Sequence, residues 1–490
     1  MDMTMSSRVC LPALLVVLGF TSACSSTKHD FGPADDGGAG NSGAGTTGGR
    51  NSSGGTDSSS AGDDSGDGGT NPGGGVTGKG GTSAGKAGSA GTAAGAGGEA
   101  GVAEPTCGAP GTPCCAGDTC DTGASCTAAT CACDAKLTAC SSSCVDLKAD
   151  PKNCGVCGHD CLGGDCDLGV CQPFNIVTGQ THVTQLAVDS TNVYWTGSDT
   201  AYAHYYVARR RIDGSDAVKP LTSTETGAYA IAIASGNIYW MAGGHLRVCD
   251  LPDCSKGPAD YIPATIATGC SSDIKYIASK NALYYGCYAD YNTNNGSLWS
   301  LTLGTVNPVN LVPSPASPVA MASDDANLYW LGSSTYTADS LNKDGVAARI
   351  RLSDGTKTTL AAGLQGDIYS FAVGGTALYF AGNQINTAPG TGNAIYKVPL
   401  PNGLGGAAAP KFADASSIYS TVGSMTADDQ YLYYSESDNS GAGSIKRCPH
   451  TGCATPETIA PGQAAYGGSL IQDSASLFWS TGVGVGRLAK

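Results

Sequence analysis

Cysteine is the residue type with the most chemical potential in this sequence. The 490 residues include 22 cysteines but only six histidines, and a single histidine lies where the cysteines are densest. Because protein zinc sites commonly combine the two residue types, this imbalance favours disulfides over metal binding. Disulfides persist in oxidising compartments, so the chain is expected to be exported.

Six cysteines in the second half of the chain suggest three local pairs. Two pairs share a spacing of four intervening residues, and the third flanks two predicted strands. The predicted pairs are Cys249 with Cys254, Cys448 with Cys453, and Cys270 with Cys287. A zinc site would instead require convergence with His245 or His450, and we predict no metal site and no cofactor.

No nucleophilic catalytic constellation is visible in the linear sequence. It contains no G-x-S-x-G string, and the last four histidines are scattered at His182, His204, His245 and His450. Complete pairing of the cysteines would leave no thiol nucleophile. Carboxylates that folding brings together remain an open alternative. We therefore predict no catalytic residue, and a non-enzyme is favoured over an enzyme.

The N-terminus carries the features of an export signal. Arg8 precedes an apolar run over residues 9–20, and small residues lead up to Cys24. This run is too short for a membrane-spanning helix and is typical of a signal peptide, here residues 1–23. The junction resembles a bacterial lipobox, which implies a lipid on Cys24 and anchoring at the outer membrane or cell surface. Cleavage after Ala23 without lipidation is the alternative.

Residues 24–105 consist almost wholly of Gly, Ser, Ala, Thr and Asp. Such a segment cannot bury enough apolar surface to offset the entropy cost of ordering, so it is predicted to be disordered. If Cys24 is anchored, the segment serves as a tether. Neutral low-complexity sequence is the other interpretation.

Fourteen cysteines lie in residues 106–172, where large apolar side chains are few. So small a core depends on disulfides for its stability. The adjacent Cys114 and Cys115 have a spacing like that of knottin-type modules. Connectivity does not follow from spacing, but disulfides are expected at Cys144, Cys154, Cys157, Cys161, Cys166 and Cys171.

The second half of this module contains the string DPKNCGVCG over residues 150–158. This string and its flanking cysteines resemble the stigma-specific protein family, whose Cys-rich repeats also recur in bacterial surface proteins. The resemblance implies a small extracellular module without known catalysis.

One unit recurs seven times over residues 173–490. Each copy has a short alternating strand, a polar turn, an apolar residue and an aromatic pair, and the copies recur every 45 to 54 residues. The pairs end at Trp195, Trp240, Tyr285, Trp330, Phe380, Tyr434 and Trp479. Asp-Gly and Asn-Gly turns between copies indicate two further strands per unit. The pattern predicts an all-β fold, a seven-bladed β-propeller.

The two ends of this region predict how the ring closes. Residues 174–177 form a predicted strand before the first copy, and the last copy has room for only three strands. The early strand is therefore expected to complete the seventh blade and remove an open sheet edge.

The repeat resembles the YWTD class of propeller repeats, through Tyr194, Trp195 and Thr196 and a later Arg-Ile-Asp-Gly strand end. The resemblance implies a propeller fold, although the familiar YWTD ring has six blades and seven are predicted here.

Two recurring features of the repeats have structural interpretations. The aromatic pairs are expected to pack between blades, with a ligand-stacking platform as the alternative. Aspartates in the first turn of several copies are expected to bond their own backbone, with calcium binding as the alternative. These residues are Asp189, Asp324, Asp325, Asp428, Asp429 and Asp473.

The net charge of -15 argues against nucleic-acid binding, because contact with phosphates needs a basic face. The leading hypothesis is a cell-surface lipoprotein whose propeller binds a glycan or a protein. The alternatives are an extracellular propeller hydrolase or lyase acting on polysaccharide or peptide, and a structural envelope protein. An acidic cluster beside a histidine would favour the enzyme, and a broad aromatic or polar face would favour binding.

Overall fold

The structure is a computed structural model, and all the residues it describes belong to one structural unit. It describes residues 107–490 except 263–269, 289–294, 334–344, 365–369, 383–393, 406, 408, 416–419, 439–442 and 464–467. The predicted signal peptide, Cys24 and the predicted linker lie outside the described residues. Within the described part of the chain, no helix is long and apolar enough to cross a membrane.

The Cys-rich stretch forms three short antiparallel hairpins. They are β1 (Ala124–Thr127) with β2 (Thr130–Cys133), β3 (Thr138–Cys140) with β4 (Ser143–Val145), and β5 (Cys166–Asp167) with β6 (Val170–Cys171). These strands are too short to bury a core between them, so covalent links carry the stabilisation instead. The stretch leads directly into β7 (Phe174–Val177).

Seven antiparallel blades follow, which confirms the predicted fold class. Blade 1 contains β8 (Leu186–Val188), β9 (Asn192–Ser198), β10 (Tyr205–Arg211) and β11 (Lys219–Glu225). Blade 2 contains β12 (Ile231–Ala234), β13 (Asn237–Ala242), β14 (His245–Asp250) and β15 (Ala259–Asp260). Blade 3 begins with β16 (Cys270–Ile277), β17 (Ala282–Tyr288) and β18 (Asn295–Thr302), with a 3-10 turn at Ala278–Lys280.

A single long strand, β19 (Val309–Ser323), ends blade 3 and begins blade 4. Its first part pairs with β18, and from Ser317 onward it pairs with the next strand of blade 4. Blade 4 continues with β20 (Asn327–Ser333), β21 (Gly345–Arg351) and β22 (Lys357–Leu364). The two blades therefore share one continuous sheet of seven strands.

The remaining three blades complete the ring. Blade 5 contains β23 (Ser370–Gly374), β24 (Ala377–Gly382), β25 (Ala394–Pro399) and β26 (Lys411–Asp414). Blade 6 contains β27 (Thr421–Ala427), β28 (Tyr431–Ser437), β29 (Gly443–Pro449) and β30 (Glu457–Pro461). Blade 7 contains β31 (Leu470–Gln472), β32 (Ser476–Ser480) and β33 (Val485–Ala489).

The fourth strand of blade 7 is β7, from the start of the propeller. Val485 pairs with Val177 and Arg487 pairs with Phe174. This antiparallel pairing confirms the predicted closure and covers an edge that would otherwise expose unpaired backbone groups.

The aromatic pairs form the core between the blades, as predicted. In each of seven buried clusters, the first aromatic of one blade joins the second aromatic of the next blade. The seven combinations are Tyr194 with Trp240, Tyr239 with Tyr285, Tyr284 with Trp330, Tyr329 with Phe380, Tyr379 with Tyr434, Tyr433 with Trp479, and Phe478 with Trp195. Burial of one such side chain contributes roughly 1.5–3 kcal/mol, and the repeat applies this contribution at every blade interface.

Candidate functional site

The cysteines of the propeller are joined in three disulfides. Cys249 is bonded to Cys254 and Cys448 to Cys453, each across a turn, while Cys270 and Cys287 face each other on β16 and β17. His450 is not positioned as a metal ligand, because both of its ring nitrogens are within hydrogen-bonding distance of other groups. Its two ring nitrogens lie 2.8 Å from the Tyr379 hydroxyl and 2.7 Å from the carbonyl oxygen of Asp428.

The Cys-rich stretch contains seven disulfides, divided between its two halves. The pairs are Cys107–Cys115, Cys114–Cys126, Cys120–Cys131, Cys133–Cys144, Cys140–Cys157, Cys154–Cys166 and Cys161–Cys171. Among the described residues there are two groups of three cysteines, and the sulfur atoms within each group lie within 4.8 Å of one another. Every cysteine in both groups belongs to one of these disulfides, so none offers a thiolate to a metal.

This stretch packs against blade 7. Cys154, Cys161 and Cys171 share a buried cluster with Leu488 of β33. The Arg487 guanidinium donates to the Leu162 carbonyl oxygen at 2.9 Å, and His159 Nε2 lies 3.0 Å from the carbonyl oxygen of Lys490. The disulfide-rich module therefore braces the blade at which the ring closes.

The repeated aspartates fasten the first turn of their blades. Asp189, Asp324, Asp428 and Asp473 each accept hydrogen bonds from the backbone N–H groups two and three residues further on. This is the local arrangement that makes aspartate a turn residue. The neighbouring Asp325 and Asp429 lie in the same turns, and no side-chain hydrogen bond is formed by either within the described residues.

The connections between strands separate onto two faces of the ring. Loops from second to third strands, such as 199–204, and loops between blades, such as 226–230, emerge at one face, which we call the loop face. Turns from first to second strands, such as 189–191, and from third to fourth strands emerge at the opposite face, which we call the turn face.

An aromatic surface lies on the loop face of blade 1. It consists of His182, Tyr202, Tyr205, Tyr206 and Tyr229. Tyr202 and Tyr229 are 47% and 43% exposed, and they are the two exposed large aromatic side chains within the described part of the chain. Their presence in one place, where the other aromatic residues that the structure describes are buried or partly buried, marks this surface as a candidate binding site.

Ring contacts organise the aromatic surface. The His182 and Tyr202 rings stack with centroids 4.4 Å apart and an interplanar angle of 10°. Tyr205 and Tyr229 meet edge to face at 5.4 Å, and their hydroxyl oxygens are 3.1 Å apart. Each contact joins two different loops or a loop and a strand, so the rings are held in place before any ligand arrives.

Hydrogen bonds anchor the loops beneath these rings. The Tyr206 hydroxyl donates to the Thr181 carbonyl oxygen at 2.7 Å, and the Thr181 hydroxyl donates to the Ser198 carbonyl oxygen at 2.6 Å. Asp199 accepts from the backbone N–H groups of Ala201 and Ala203, which closes the loop from β9 to β10 around its carboxylate.

Burial and hydrogen bonds shift the pKa of two groups on or beside this surface. Burial, followed by the hydrogen bond to Tyr229, raises the pKa of Tyr205 to about 12. The bond from His204 and the backbone N–H of Ala203 lower the pKa of the Asp199 carboxyl. The surface thus presents aromatic rings and hydroxyl groups beside one carboxylate.

Asp199 and His204 are the carboxylate–imidazole pair closest to a catalytic arrangement on this surface. Asp199 Oδ2 lies 2.9 Å from His204 Nδ1. Such a pair can orient an imidazole as a general base. Both side chains belong to one short exposed loop, and Ser198 behind them is buried and lies 3.4 Å from His182 instead. The pair could therefore act on water or a substrate hydroxyl, and no nucleophilic side chain among the described residues lies beside it.

Sequence reasoning did not identify this aromatic surface. The residues of the surface come from three segments that only the ring brings together. The available signal was the run Tyr202, His204, Tyr205 and Tyr206, which lies outside the repeated aromatic pairs and so is not needed for packing between blades.

Comparison with known proteins gives structural matches alone. No protein family and no curated protein matches the sequence. Kuenenia stuttgartiensis hydrazine synthase matches at 12% identity over 64% of this chain and 96% of that chain, with a TM-score of 0.46. A putative TolB from Agrobacterium tumefaciens matches at 11% identity over 62% of this chain and 99% of that chain, with a TM-score of 0.38.

A Mycobacterium tuberculosis puromycin-hydrolyzing peptidase also matches, at 12% identity over 62% of this chain, with a TM-score of 0.39. This chain covers 58% of the length of that peptidase. Matches at these identities and scores do not bear on the activity of this chain.

Proposed function

We propose that the protein is an exported, lipid-anchored surface protein whose propeller binds a glycan through the aromatic surface. The single observation that supports the ligand assignment is the clustering of Tyr202 and Tyr229, the exposed tyrosines among the described residues, at one place on the loop face. Ten disulfides among the described residues support an oxidising, extracytoplasmic location.

The chemistry of the surface suits a sugar. A pyranose presents C–H groups on its faces and hydroxyl groups around its rim. Exposed aromatic rings can cover the C–H groups, while the hydroxyls of Tyr205 and Tyr229 and the Asp199 carboxylate can bond the rim. The rings are already fixed by their mutual contacts, so little conformational entropy is lost on binding.

The test is binding of the full exported chain to arrayed glycans, compared between the wild type and three single variants. Tyr202→Ala and Tyr229→Ala are each expected to weaken binding about tenfold or more, since each removes an aromatic contact. Tyr276→Ala is the matched control, because Tyr276 contacts Ser235 and Asn281 at the turn face. Equal loss in all three variants, or binding only to envelope proteins, would contradict the proposal.

A hydrolase or lyase is the second candidate, and the Asp199–His204 pair is the observation that favours it. If this pair activates water, the glycan that binds should also be cleaved, and His204→Ala should abolish release of reducing ends while leaving binding intact. If the glycan is bound but not cleaved, the result supports the binding function and contradicts the hydrolase or lyase. If neither the wild type nor any variant binds a glycan, the structural envelope role moves forward.

The lipid anchor is tested separately at Cys24. Expression of the full chain with Cys24→Ser should move the protein from the membrane fraction to the soluble exported fraction. Wild-type protein that already lies in the soluble exported fraction would instead support an ordinary cleavage site after Ala23.

A further inference from the structure

Five blades carry a cation on their third strand, directly opposite the first aromatic of the pair. Opposite residues of an antiparallel pair point to the same side of the sheet, so these charges project into the interface between blades. The opposed residues are Arg209 with Tyr194, Arg349 with Tyr329, Lys397 with Tyr379, Arg447 with Tyr433, and Arg487 with Phe478. A charge removed from water in this way needs a partner.

Four of these five cations have partners. Arg209 binds the carboxylates of Asp216 and Asp253, and Arg447 binds both oxygens of Glu457 at 2.8 and 3.0 Å. Two others donate to backbone carbonyl oxygens of the next blade: Lys397 to His450 at 2.7 Å and Arg487 to Ile212 at 3.0 Å.

Arg349 in blade 4 is the exception. It is 8% exposed, its Nε atom is buried with no hydrogen-bond partner, and among the described residues its guanidinium forms no ion pair. Arg349 interacts with the Tyr329 hydroxyl, which is neutral and itself donates to Asp324, so the guanidinium has no direct carboxylate partner there. Burying a guanidinium without a charged partner costs free energy. A negatively charged ligand bound beside Arg349 would offset that cost.

The register shows which carboxylates are missing around Arg349. The third strands of blades 2 and 5 can be aligned by the residue that pairs with the first aromatic of each blade. In this alignment, Leu251, Pro252 and Asp253 after β14 correspond to Leu400, Pro401 and Asn402 after β25. The Asp253 that neutralises Arg209 of the preceding blade thus corresponds to Asn402, a neutral amide. Likewise, Thr358 faces Arg349 at the position where Glu457 faces Arg447.

A cavity lies at this point of the turn face. Its volume is about 430 Å³, within the range of small-molecule sites, and it is bounded by the turns of blades 3, 4 and 5. Arg349 and Lys280 line it, together with the amide of Asn402 and the hydroxyl groups of Ser279 and Ser353. Lys280, like Arg349, forms no ion pair among the described residues.

Two carboxylates near the cavity, Asp324 and Asp354, form no ion pair with Arg349 or Lys280. Asp324 is engaged by the Tyr329 hydroxyl at 2.6 Å and by the side chain of Asn327. Asp354 is paired with Arg351 at 3.1 Å, and Asp325 lies on the cavity wall without an ion pair among the described residues. The charged residues that line the cavity are thus the cations Lys280, Arg349 and the paired Arg351 against one carboxylate, Asp325.

We propose that this cavity binds an oxyanion, carried by a small molecule of about monosaccharide size, with Arg349 and Lys280 as its cationic ligands. A guanidinium with free N–H groups pairs with the two oxygens of a carboxylate or phosphate, and Asn402 and Ser353 can bond the remaining oxygens, while the Ser279 hydroxyl already donates to the Asp325 carbonyl oxygen. The site lies on the turn face and is independent of the aromatic surface on the loop face.

The test is calorimetric titration of the full exported chain with sodium glucuronate, inorganic phosphate and inorganic sulfate at fixed ionic strength. Saturable binding is expected for at least one probe. Asn402→Asp should restore the counter-ion seen at Asp253, weaken that binding by about tenfold or more, and raise the Tm of the unliganded protein. A binding probe should raise the Tm of the wild type more than that of this variant.

Asp253→Asn is the matched control, because it changes the corresponding position beside Arg209 and leaves the Arg349 cavity as it is. Probe binding by this variant should equal that of the wild type. Tighter binding of glucuronate than of the inorganic ions identifies an acidic sugar as the ligand class, and equal binding identifies the free oxyanion. No saturable binding of any probe, or undiminished binding by Asn402→Asp, would overturn the proposal.

Discussion

The hydroxyl of Tyr329 donates a 2.6 Å hydrogen bond to Asp324, five residues earlier on the opposite side of a turn. The same bond joins Tyr194 to Asp189 at 2.9 Å and Tyr433 to Asp428 at 3.0 Å. The aspartate thus ties the turn, through its backbone bonds, to an aromatic side chain in the core between blades. Blade 7 retains the turn bonds of Asp473, although the aromatic is Phe478 and has no hydroxyl.

Loss of this aspartate should destabilise the propeller more than loss of its neighbour. Asp428→Ala removes the carboxylate that accepts hydrogen bonds from two backbone N–H groups and from a largely buried hydroxyl, and should lower the free energy of unfolding by about 2–3 kcal/mol. Asp429→Ala, one residue further on in the same turn, should change it by less than about 0.5 kcal/mol. Denaturant unfolding of both variants measures the difference, and equal effects would contradict the proposed role of the turn.

Asp428 also predicts how stability falls in acid. Burial opposes its ionisation, but the backbone N–H groups of Tyr431 and Gln430 and the Tyr433 hydroxyl outweigh burial, so its pKa in the folded state lies below the usual value. The contribution of Asp428 is therefore complete above its unfolded pKa of about 4 and is lost as the pH falls through the folded pKa. The stability difference between wild type and Asp428→Asn should shrink below about pH 4. A constant difference across that range would show that ionisation of Asp428 is not involved.

Closure of the ring should depend on one buried side chain of β7. Ile176 is 2% exposed in the cluster that joins blade 7 to blade 1, and its carbonyl oxygen accepts a bond from Arg210. Ile176→Ala should lower the free energy of unfolding by about 2–4 kcal/mol and increase proteolysis near the ring closure. Its neighbour Asn175 is exposed, and Asn175→Ala serves as the control, with little expected change.

The disulfide between Cys270 and Cys287 should stabilise blade 3. It closes a loop with a sequence separation of 17 residues, and its loss increases the entropy of the unfolded chain. The double variant Cys270→Ser and Cys287→Ser should lose about 2–4 kcal/mol of stability. Thermal unfolding of this variant is compared with that of Cys249→Ser and Cys254→Ser, whose separation of five residues predicts a smaller loss. The reverse order would contradict the loop-entropy explanation.

The fold was predictable because each copy of the repeat contains both the alternating pattern of the strands and the aromatic pair that packs between blades. The aromatic pairs, from Tyr194 and Trp195 to Phe478 and Trp479, indicated blade number and core together. Closure by residues 174–177 followed from a strand without a blade of its own. These features depend on local sequence or on equivalent positions in every copy.

The candidate sites were not predictable in the same way, because each depends on a departure from the repeat. Tyr202 and Tyr229 lie in loops of different length and sequence, and only the ring places them together. Arg349 follows the pattern of its counterparts, and what distinguishes it is Asn402 in the next blade, where another blade has Asp253. That comparison requires the register of the strands.

The order in which the chain is synthesised determines when blade 7, which combines β7 with the last three strands, can form. β7 is made before any complete blade, whereas its partner β33 is made roughly 300 residues later. Until then blade 7 does not exist and the hydrophobic sides of blades 1 and 6 are exposed, which is the condition under which sheet proteins aggregate. These two sides are buried only when blade 7, the last to be synthesised, packs between blades 6 and 1.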